Sequence, residues 1–450
     1  MPIDTTSLYQ DAMAVAQNVA EPIYSYFTCE IIIGGFTVTP LKVTSLTNVQ
    51  DFESGYSDEI NITVMMGVGD YDRYVYPYRD NLEMVVYDQP VVGTSGTPIS
   101  SLKRTSYKYR AIPHDVKSNV VAANVDIAEN KDEINKGNIK EYTFQLLDNN
   151  IEQLRGKMAG APIARKVKVA EIIKTVLGKA SASVEVDDSV SIKGIELVEP
   201  NNTKQRDHIV IPPCKFIDYI DELQNRVGIY SSGVGFYLSE RLWWVWPMYD
   251  ITRYETAKYR LDICCLPPNR FPGGDKTWLW TGNTLVMVSS SQANYSDFSD
   301  RLQISSGNGL RFGKASTAME SWSSNDKNTM SVKRQDNNNE FVTTQRKTGV
   351  NNLVPGSVPF TDNIYREMSN LASKQGAVMQ LAWNFSAPKL LNPGQAVRLR
   401  YVEGNNVRTL YGVVLKAEHF SSLKDTVMTS NVHITNTILT LFLGRYESGN

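Results

Sequence analysis

Cysteine is scarce in this 450-residue sequence, and its spacing suits little chemistry. Cys29 and Cys214 stand alone, Cys264 and Cys265 are adjacent, and no C-x-x-C occurs. That excludes the usual zinc spacings and a disulfide framework. Free buried thiols in a reducing cytoplasm are the simpler reading. Long hydrophobic runs are missing as well. No apolar run of about 18 residues is present, so no membrane insertion is expected. The first twenty residues lack a basic start, and Asp11, Gln17 and Asn18 break their apolar positions, which argues against a signal peptide. Asn61-Ile62-Thr63 and Asn384-Phe385-Ser386 match a glycosylation pattern and are read as chance without a secretion signal. Charge of one sign is not in excess either. Lys plus Arg is 46 against 48 Asp plus Glu, a net charge of -2. A polyanion-binding surface needs a basic excess, so only a local basic patch stays open. The sequence has no P-loop, no H-E-x-x-H and no G-x-S-x-G.

What is present is apolar residue in quantity, 42% of the chain, and 23 tyrosines, as in strand-rich proteins. At roughly 100–200 residues per domain the length accommodates about three or four domains. The C-terminal stretch from Leu391 to Leu443 is the most regular. Val397, Leu399 and Tyr401 alternate with Arg398 and Arg400. After a turn at Glu403-Gly404-Asn405-Asn406 come Tyr411, Val413, Leu415 and Ala417. The run from Met428 to Leu443 follows. Its alternation sets Val432, Ile434 and Ile438 on one face and Asn431, His433, Thr435 and Thr437 on the other. A strand of that length spans on the order of 50 Å at about 3.3 Å per residue. Such strands fit a barrel or tube wall, and closure removes their exposed edges.

Taken in order, Thr5 to Val19 reads as a short helix or arm. Residues 24–150 form a first β-rich domain. It holds a Gly34-Gly35 hairpin, Pro40 at a strand start or edge, a strand from Glu59 to Met66, and a turn or short helix over Gly67–Asn81. Residues 151–260 are mixed. Val167, Ala170, Ile173, Val176 and Leu177 have helical spacing, with Gly178 placed to end that helix. Phe216–Val227 is an amphipathic helix closed by Gly228, and a strand hairpin ends at Pro247. Residues 261–377 are loop-rich, and Ser289–Asn352 reads as extended loops or an interface arm. Asp362–Lys374 looks helical. The second β domain is 378–450. The fold class expected is α+β, mainly β, with two barrel-forming domains flanking small mixed domains and 1–23 as an N-terminal arm.

Several groups invite chemistry. Asp218, Asp221 and Glu222 share a helix face, and paired carboxylates can cleave glycosides. A helix also needs a solvated face, which these residues supply. His419 and His433 become neighbours if their strands pair. Two His without an acidic third ligand define no zinc site, so surface or pore-facing positions are expected. Gly307-Asn308-Gly309 precedes Gly313, which is the wrong spacing for a phosphate cradle. Lys333, Arg334, Arg346 and Lys347 lack interleaved aromatics for nucleic acid. Trp243, Trp244 and Trp246 can stack on sugar, but a Trp-rich strand beside an amphipathic helix is more simply core and interface. No catalytic, cofactor or metal residue is assigned.

Three segments together resemble a known family. They are Asp58–Ile62 through Asp70-Tyr71-Asp72-Arg73 to Leu82-Glu83-Met84; Phe216–Ile220 through Tyr230–Tyr237 to Trp244-Val245-Trp246-Pro247; and the C-terminal strands with Asn392-Pro393-Gly394. Their order is similar to that of central baseplate hub proteins of contractile-tailed bacteriophages. The resemblance touches about half the chain and rests on layout. It implies two tail-tube-type β-barrels, at 24–150 and 378–450. Three subunits then make a homotrimer ring that adapts a sixfold tail tube to a trimeric spike protein and initiates the tube. It further implies partners: a tube or tube-initiator protein, a tape-measure protein and other baseplate proteins, with DNA passing the lumen without specific binding. The location implied is the virion tail baseplate, after synthesis in the host cytoplasm. No catalytic residue is carried over. The 289–352 stretch and the N-terminal helix have no counterpart in the family. The alternative is a carbohydrate-binding tail or secreted β-protein.

Overall fold

A computed structural model describes residues 5–17, 23–92, 97–98, 105–114, 139–160, 163–205, 209–271, 276–290, 294–297, 310–312, 321–326, 329–334, 341–343, 363–373, 376–403, 406–424 and 432–444. It is mostly strand, with a few helices.

The first half supplies β1 (Ile23–Ile33), β2 (Lys42–Asp51), β3 (Glu59–Gly67), β4 (Leu82–Val92), β5 (Thr105–Pro113) and β6 (Ile139–Leu147). The middle adds β7 (Val234–Ser239), β8 (Leu242–Pro247), β9 (Arg260–Cys265) and β10 (Thr284–Ser289). The C-terminal part adds β11 (Gly376–Trp383), β12 (Ala396–Glu403), β13 (Asn406–Leu423) and β14 (Val432–Gly444). The helices are α1 (Thr5–Gln17), α2 (Asn149–Gly156), α3 (Val169–Ser183), α4 (Tyr219–Arg226) and α5 (Ile364–Ala372).

Eight strands pair in the cyclic order β13-β2-β3-β6-β5-β4-β1-β14, and β14 returns to β13. Every pairing in this ring is antiparallel. A closed ladder leaves no free edge. Alternation does the rest: Ile31, Ile62, Val64, Leu82, Met84 and Phe144 all point inward and are fully buried. Gly34 and Gly35 take positive φ at the tight turn from β1 into Phe36–Val38, as their sequence predicts.

The same β13 and β14 belong to a second curved sheet in the order β10-β9-β12-β13-β14-β11. It encloses Leu261, Ile263, Leu285, Met287, Trp383, Val397, Leu399, Leu439 and Leu441. Its two sides meet by side chains: the Ser289 hydroxyl donates to the Ala382 carbonyl at 2.8 Å, and Thr277 donates to Asn384 at 2.6 Å. β9 and β10, in the stretch read as loop-rich, join this sheet in parallel register. Their short runs, Leu261–Cys265 (apolar but for Asp262) and Leu285–Val288, are buried on both faces, because α1 covers the outer one through Leu8, Ala12 and Val15.

The middle of the chain forms a mixed unit of α2, α3 and α4 against β7, β8 and Gly194–Leu197. Asp148 caps α2, its carboxylate accepting from the amides of Asn150 and Ile151 at 2.8 and 3.3 Å. The helix expected over Phe216–Val227 covers Tyr219–Arg226, and Gly228 ends it with φ +84° and its amide on the Leu223 carbonyl. Gly178, expected to end its helix, sits inside α3, which continues to Ser183. Ala180 is buried two residues further on, and packing overrides the single glycine. In the polar stretch 289–352, Leu310–Phe312 pairs with Phe341–Thr343 and Ser321–Asp326 with Thr329–Arg334. The remainder of that stretch, apart from 289–290 and 294–297, lies outside the described residues.

Candidate functional site

The candidate site is the joint where the closed barrel and the second sheet share strands. From Asn406 to Val413, β13 pairs with β12; from Lys416 to Ser422 it pairs with β2. Its register against β14 shifts between Val414 and Lys416, leaving Leu415 as the bulged residue at the handover. A bulge bends and twists its strand, which is what a strand needs to leave one barrel for another. The Leu415 carbonyl is taken by the Phe52 amide at 2.9 Å. β14 divides likewise, meeting β1 at Val432-His433 and β11 from Thr437 to Gly444.

The inward face of β14 here is polar, which corrects the face expected from sequence. His433, Thr435 and Thr437 are buried, whereas Ile438 is exposed and Ile434 half-buried. The parity is set by Leu439, Leu441 and Leu443, which share the odd positions and fill the second core. One residue of phase exchanges the faces of a strand.

This buried polarity is paired. His419, 1% exposed, meets Thr437 Oγ1 at 2.7 Å through Nδ1 and Gln50 Oε1 at 3.1 Å through Nε2. Gln50 Nε2 donates to the Asp58 carboxylate at 3.1 Å, as do Asn48 at 3.0 Å and the Tyr237 hydroxyl at 3.0 Å. Burial pushes the His419 imidazole down to about 3, because its cation has no water. Burial pushes Asp58 up from the ordinary carboxylate range, and its three donors oppose the shift. His433, held by the Val43 carbonyl at 3.1 Å and the edge of Phe27, lies elsewhere on β14. So the two His are neither surface nor pore-facing as expected: each is a buried, satisfied polar group of the first barrel.

A second polar cluster pins α1. Asp262 of β9, 3% exposed, accepts from Arg398 and from Arg400, the latter at 2.9 and 3.1 Å. Arg400 also reaches Asp11 of α1 at 2.7 Å. Sequence alternation placed both arginines on one face of β12. It could not supply Asp262, which arrives from another strand.

The tryptophans are structural. Trp243 stacks on Phe236 at 4.9 Å and donates to Ser181 at 3.0 Å. Trp246 lies flat on Gly235 and Gly394, where an added Cβ would come within 2.2 Å of the indole. Trp244 alone is half-buried, tilted against Tyr259 at 6.0 Å. Asp218 accepts from Tyr56 at 3.1 Å, and Glu222 pairs with Arg226 at 2.9 Å. Asp221 is exposed, and its packed surroundings, then the Asp218 and Glu222 charges, raise its carboxyl above the ordinary range. Lys333 and Arg334 lie on a paired strand, while Gly307, Asn308, Gly309, Gly313, Arg346 and Lys347 are outside the described residues. None of the four cysteines is in a disulfide, and burial pushes the Cys29 and Cys264 thiols up to about 12. Among the described residues, no group of three or more His, Cys, Asp or Glu is placed to hold a metal. Among the described residues no helix is long and apolar enough to cross a membrane.

Residues 108–271 match the family model of the Bacteriophage PBS1 gene 109 protein. The match covers β5, β6, the mixed unit and β9. No curated protein matches. Among solved structures, the chain is similar to the Escherichia coli c3393 protein, a component of the type VI secretion system with structural similarity to T4 bacteriophage tail proteins gp27 and gp5. The TM-score is 0.42 at 8% identity, covering 93% of this chain and 78% of that one. It is also similar to the 43 kDa tail protein of prophage MuSo2 from Shewanella oneidensis, with TM-score 0.41, 8% identity, and 92% and 97% covered. A third likeness is to the Francisella PdpA-VgrG complex, with TM-score 0.36, 10% identity, and 98% and 62% covered. At these scores the superpositions are loose.

Proposed function

We propose that this chain is a structural virion protein, the central hub of a phage tail baseplate. Three copies form a ring that adapts a sixfold tail tube to a trimeric spike and starts the tube. The observation that carries this reading is a closed eight-strand barrel and a second curved sheet fused on one shared strand pair, β13 and β14. Three copies of a two-barrel chain present six barrels, and a closed ring suits strands that must hide their edges. The match of residues 108–271 to a bacteriophage family supports the setting. In this reading residues 24–150 form the first tube-type barrel together with β13 and β14, 378–450 form the second together with β9 and β10, and the remaining regions face other baseplate proteins. The spike, tube and tape-measure proteins are partners. DNA crosses the lumen unbound, in keeping with a net charge of -2. The protein acts without catalysis, in the virion, after synthesis in the host cytoplasm.

The test is the mass in solution of the full chain, alone and mixed with its spike and tube proteins. A trimeric mass in the mixture is expected; a chain that stays monomeric with both partners present contradicts the reading. Of the three tryptophans behind the carbohydrate-binding alternative, Trp244 is the one that stays half-buried rather than buried. Because Trp243 and Trp246 are spent on the core, Trp244→Ala is expected to leave cell-wall glycan retention unchanged. A loss of retention in that variant would favour the alternative.

A further inference from the structure

We propose that the hydrogen-bonded chain Ser386–Thr437–His419–Gln50–Asp58–Tyr237 is an acid-sensitive latch between the two barrels, closed at neutral pH and released when His419 takes up a proton.

The direction of the chain follows from its end. The Asp58 carboxylate can only accept, so Gln50 turns its NH2 toward Asp58 and its carbonyl toward His419. That carbonyl demands a proton on His419 Nε2, at 3.1 Å. Nδ1 is therefore the bare nitrogen, and Thr437 donates to it at 2.7 Å. With its only proton committed, Thr437 accepts from Ser386 at 2.6 Å. Every hydroxyl is used once, and the neutral ring is satisfied on both sides.

Protonation at Nδ1 reverses the outer half by hydroxyl rotation alone. His419 then donates to Thr437, Thr437 to Ser386, and Ser386 to the Thr435 carbonyl, which lies 3.1 Å away. The hydrogen bonds survive, but a cation is left in a dry site. Both ring nitrogens face uncharged partners. On β2 the inward neighbours are Asn48 and Gln50; on β14 they are Thr435 and Thr437. His433 of β14 is engaged with Val43. Lys416 and Glu418 of β13 pair with each other at 2.6 Å and are half-buried on the outer face. Asp58 is reached only through Gln50, and Tyr237 beyond it stays protonated. Hydrating the ring requires opening the β2–β13 ladder, which is the joint itself.

The sign follows from the two states. The closed site binds a proton far less readily than an open one at about 6.5, so the penalty is absent above that pH. It grows as pH falls toward about 3, where it levels off. Asp58, raised in the closed state, contributes with the opposite sign and is common to the wild type and a His419 variant. Between pH 7.5 and pH 5 the His419 contribution alone raises the opening equilibrium of the joint about 30-fold.

The experiment is amide hydrogen exchange of the full chain at both pH values, corrected for intrinsic rates. Amides of β2 and of β13 from Lys416 to Ser422 are expected to lose protection about 30-fold, while β9 and β12 keep theirs. In His419→Gln, which preserves a donor and an acceptor, that loss disappears. An equal loss in His419→Gln, or one spread evenly over both barrels, overturns the proposal. If that variant does not fold, 15N-imidazole spectra of the wild type decide, because the chain has only four His. A His419 ring that stays neutral with its proton on Nε2 at pH 5 supports the latch. A ring that titrates near the ordinary 6.5, or carries its proton on Nδ1, refutes it.

Discussion

Gly412→Ala is expected to destabilise the protein by about 3 kcal/mol or more, at or beyond the upper end of overpacking changes. Gly412 lies on β13 opposite Leu443 of β14. A Cβ there would stand 1.8 Å from the Phe442 carbonyl oxygen and 2.9 Å from a Leu443 methyl. The first obstacle is backbone, which cannot turn aside as a side chain can. Relief requires parting β13 from β14, the pair that both barrels share. The contrast is Gly178→Ala. Gly178 is exposed inside α3, and nothing lies within 4 Å of its added Cβ. Alanine there is expected to stabilise by about 0.5–1 kcal/mol, the helix-propensity difference. Urea unfolding of the two variants beside the wild type checks both signs. A Gly412→Ala protein of wild-type stability would mean that β13 and β14 do not pair in this register.

Asp262→Ala is expected to cost about 3 kcal/mol, because it strands two guanidinium groups against the outer wall of the second barrel. The figure sits at the low end for a broken buried pair. Arg398 keeps 31% of its side chain exposed, and Arg400 keeps Asp11. Replacing Asp262, Arg398 and Arg400 together by Leu, Met and Met is expected to recover most of the loss, since a buried ion cluster contributes little net stability over apolar packing. A single variant costing under about 1 kcal/mol in the same assay would show that the arginines find water without Asp262. Asp11→Asn is a smaller change, within about 1 kcal/mol, because Asp11 is half exposed and screened.

The strands and their turns were legible in the sequence, because they depend on neighbours in the chain. Gly34-Gly35 and Gly228 required positive φ, and they take it where expected. The amphipathic period of Ile217, Ile220, Leu223 and Val227 marked the buried side of α4. What failed to show was anything decided by strands far apart. Ile434 and Ile438 look like core in a local window. Only the leucines of the second barrel, further along the same strand, reveal that His433 and Thr437 point inward. The fusion of the barrels is equally silent. A strand that changes partners at Leu415 reads the same as one that keeps them. The joint left traces nonetheless: threonines and histidines in phase with leucines, on a strand too long for one small sheet. Buried polar residues with fixed partners favour one arrangement over its alternatives.

In the proposed ring, three chains, each with its fused pair of β-structures, build a sixfold-like wall. Electron microscopy of the full chain assembled with its spike and tube proteins tests it most directly. The account predicts a threefold ring in which each subunit contributes two adjacent barrels, β13 and β14 running between them, around an open lumen. A particle in which the chain remains a single copy, or in which only one barrel per subunit faces the lumen, would contradict it.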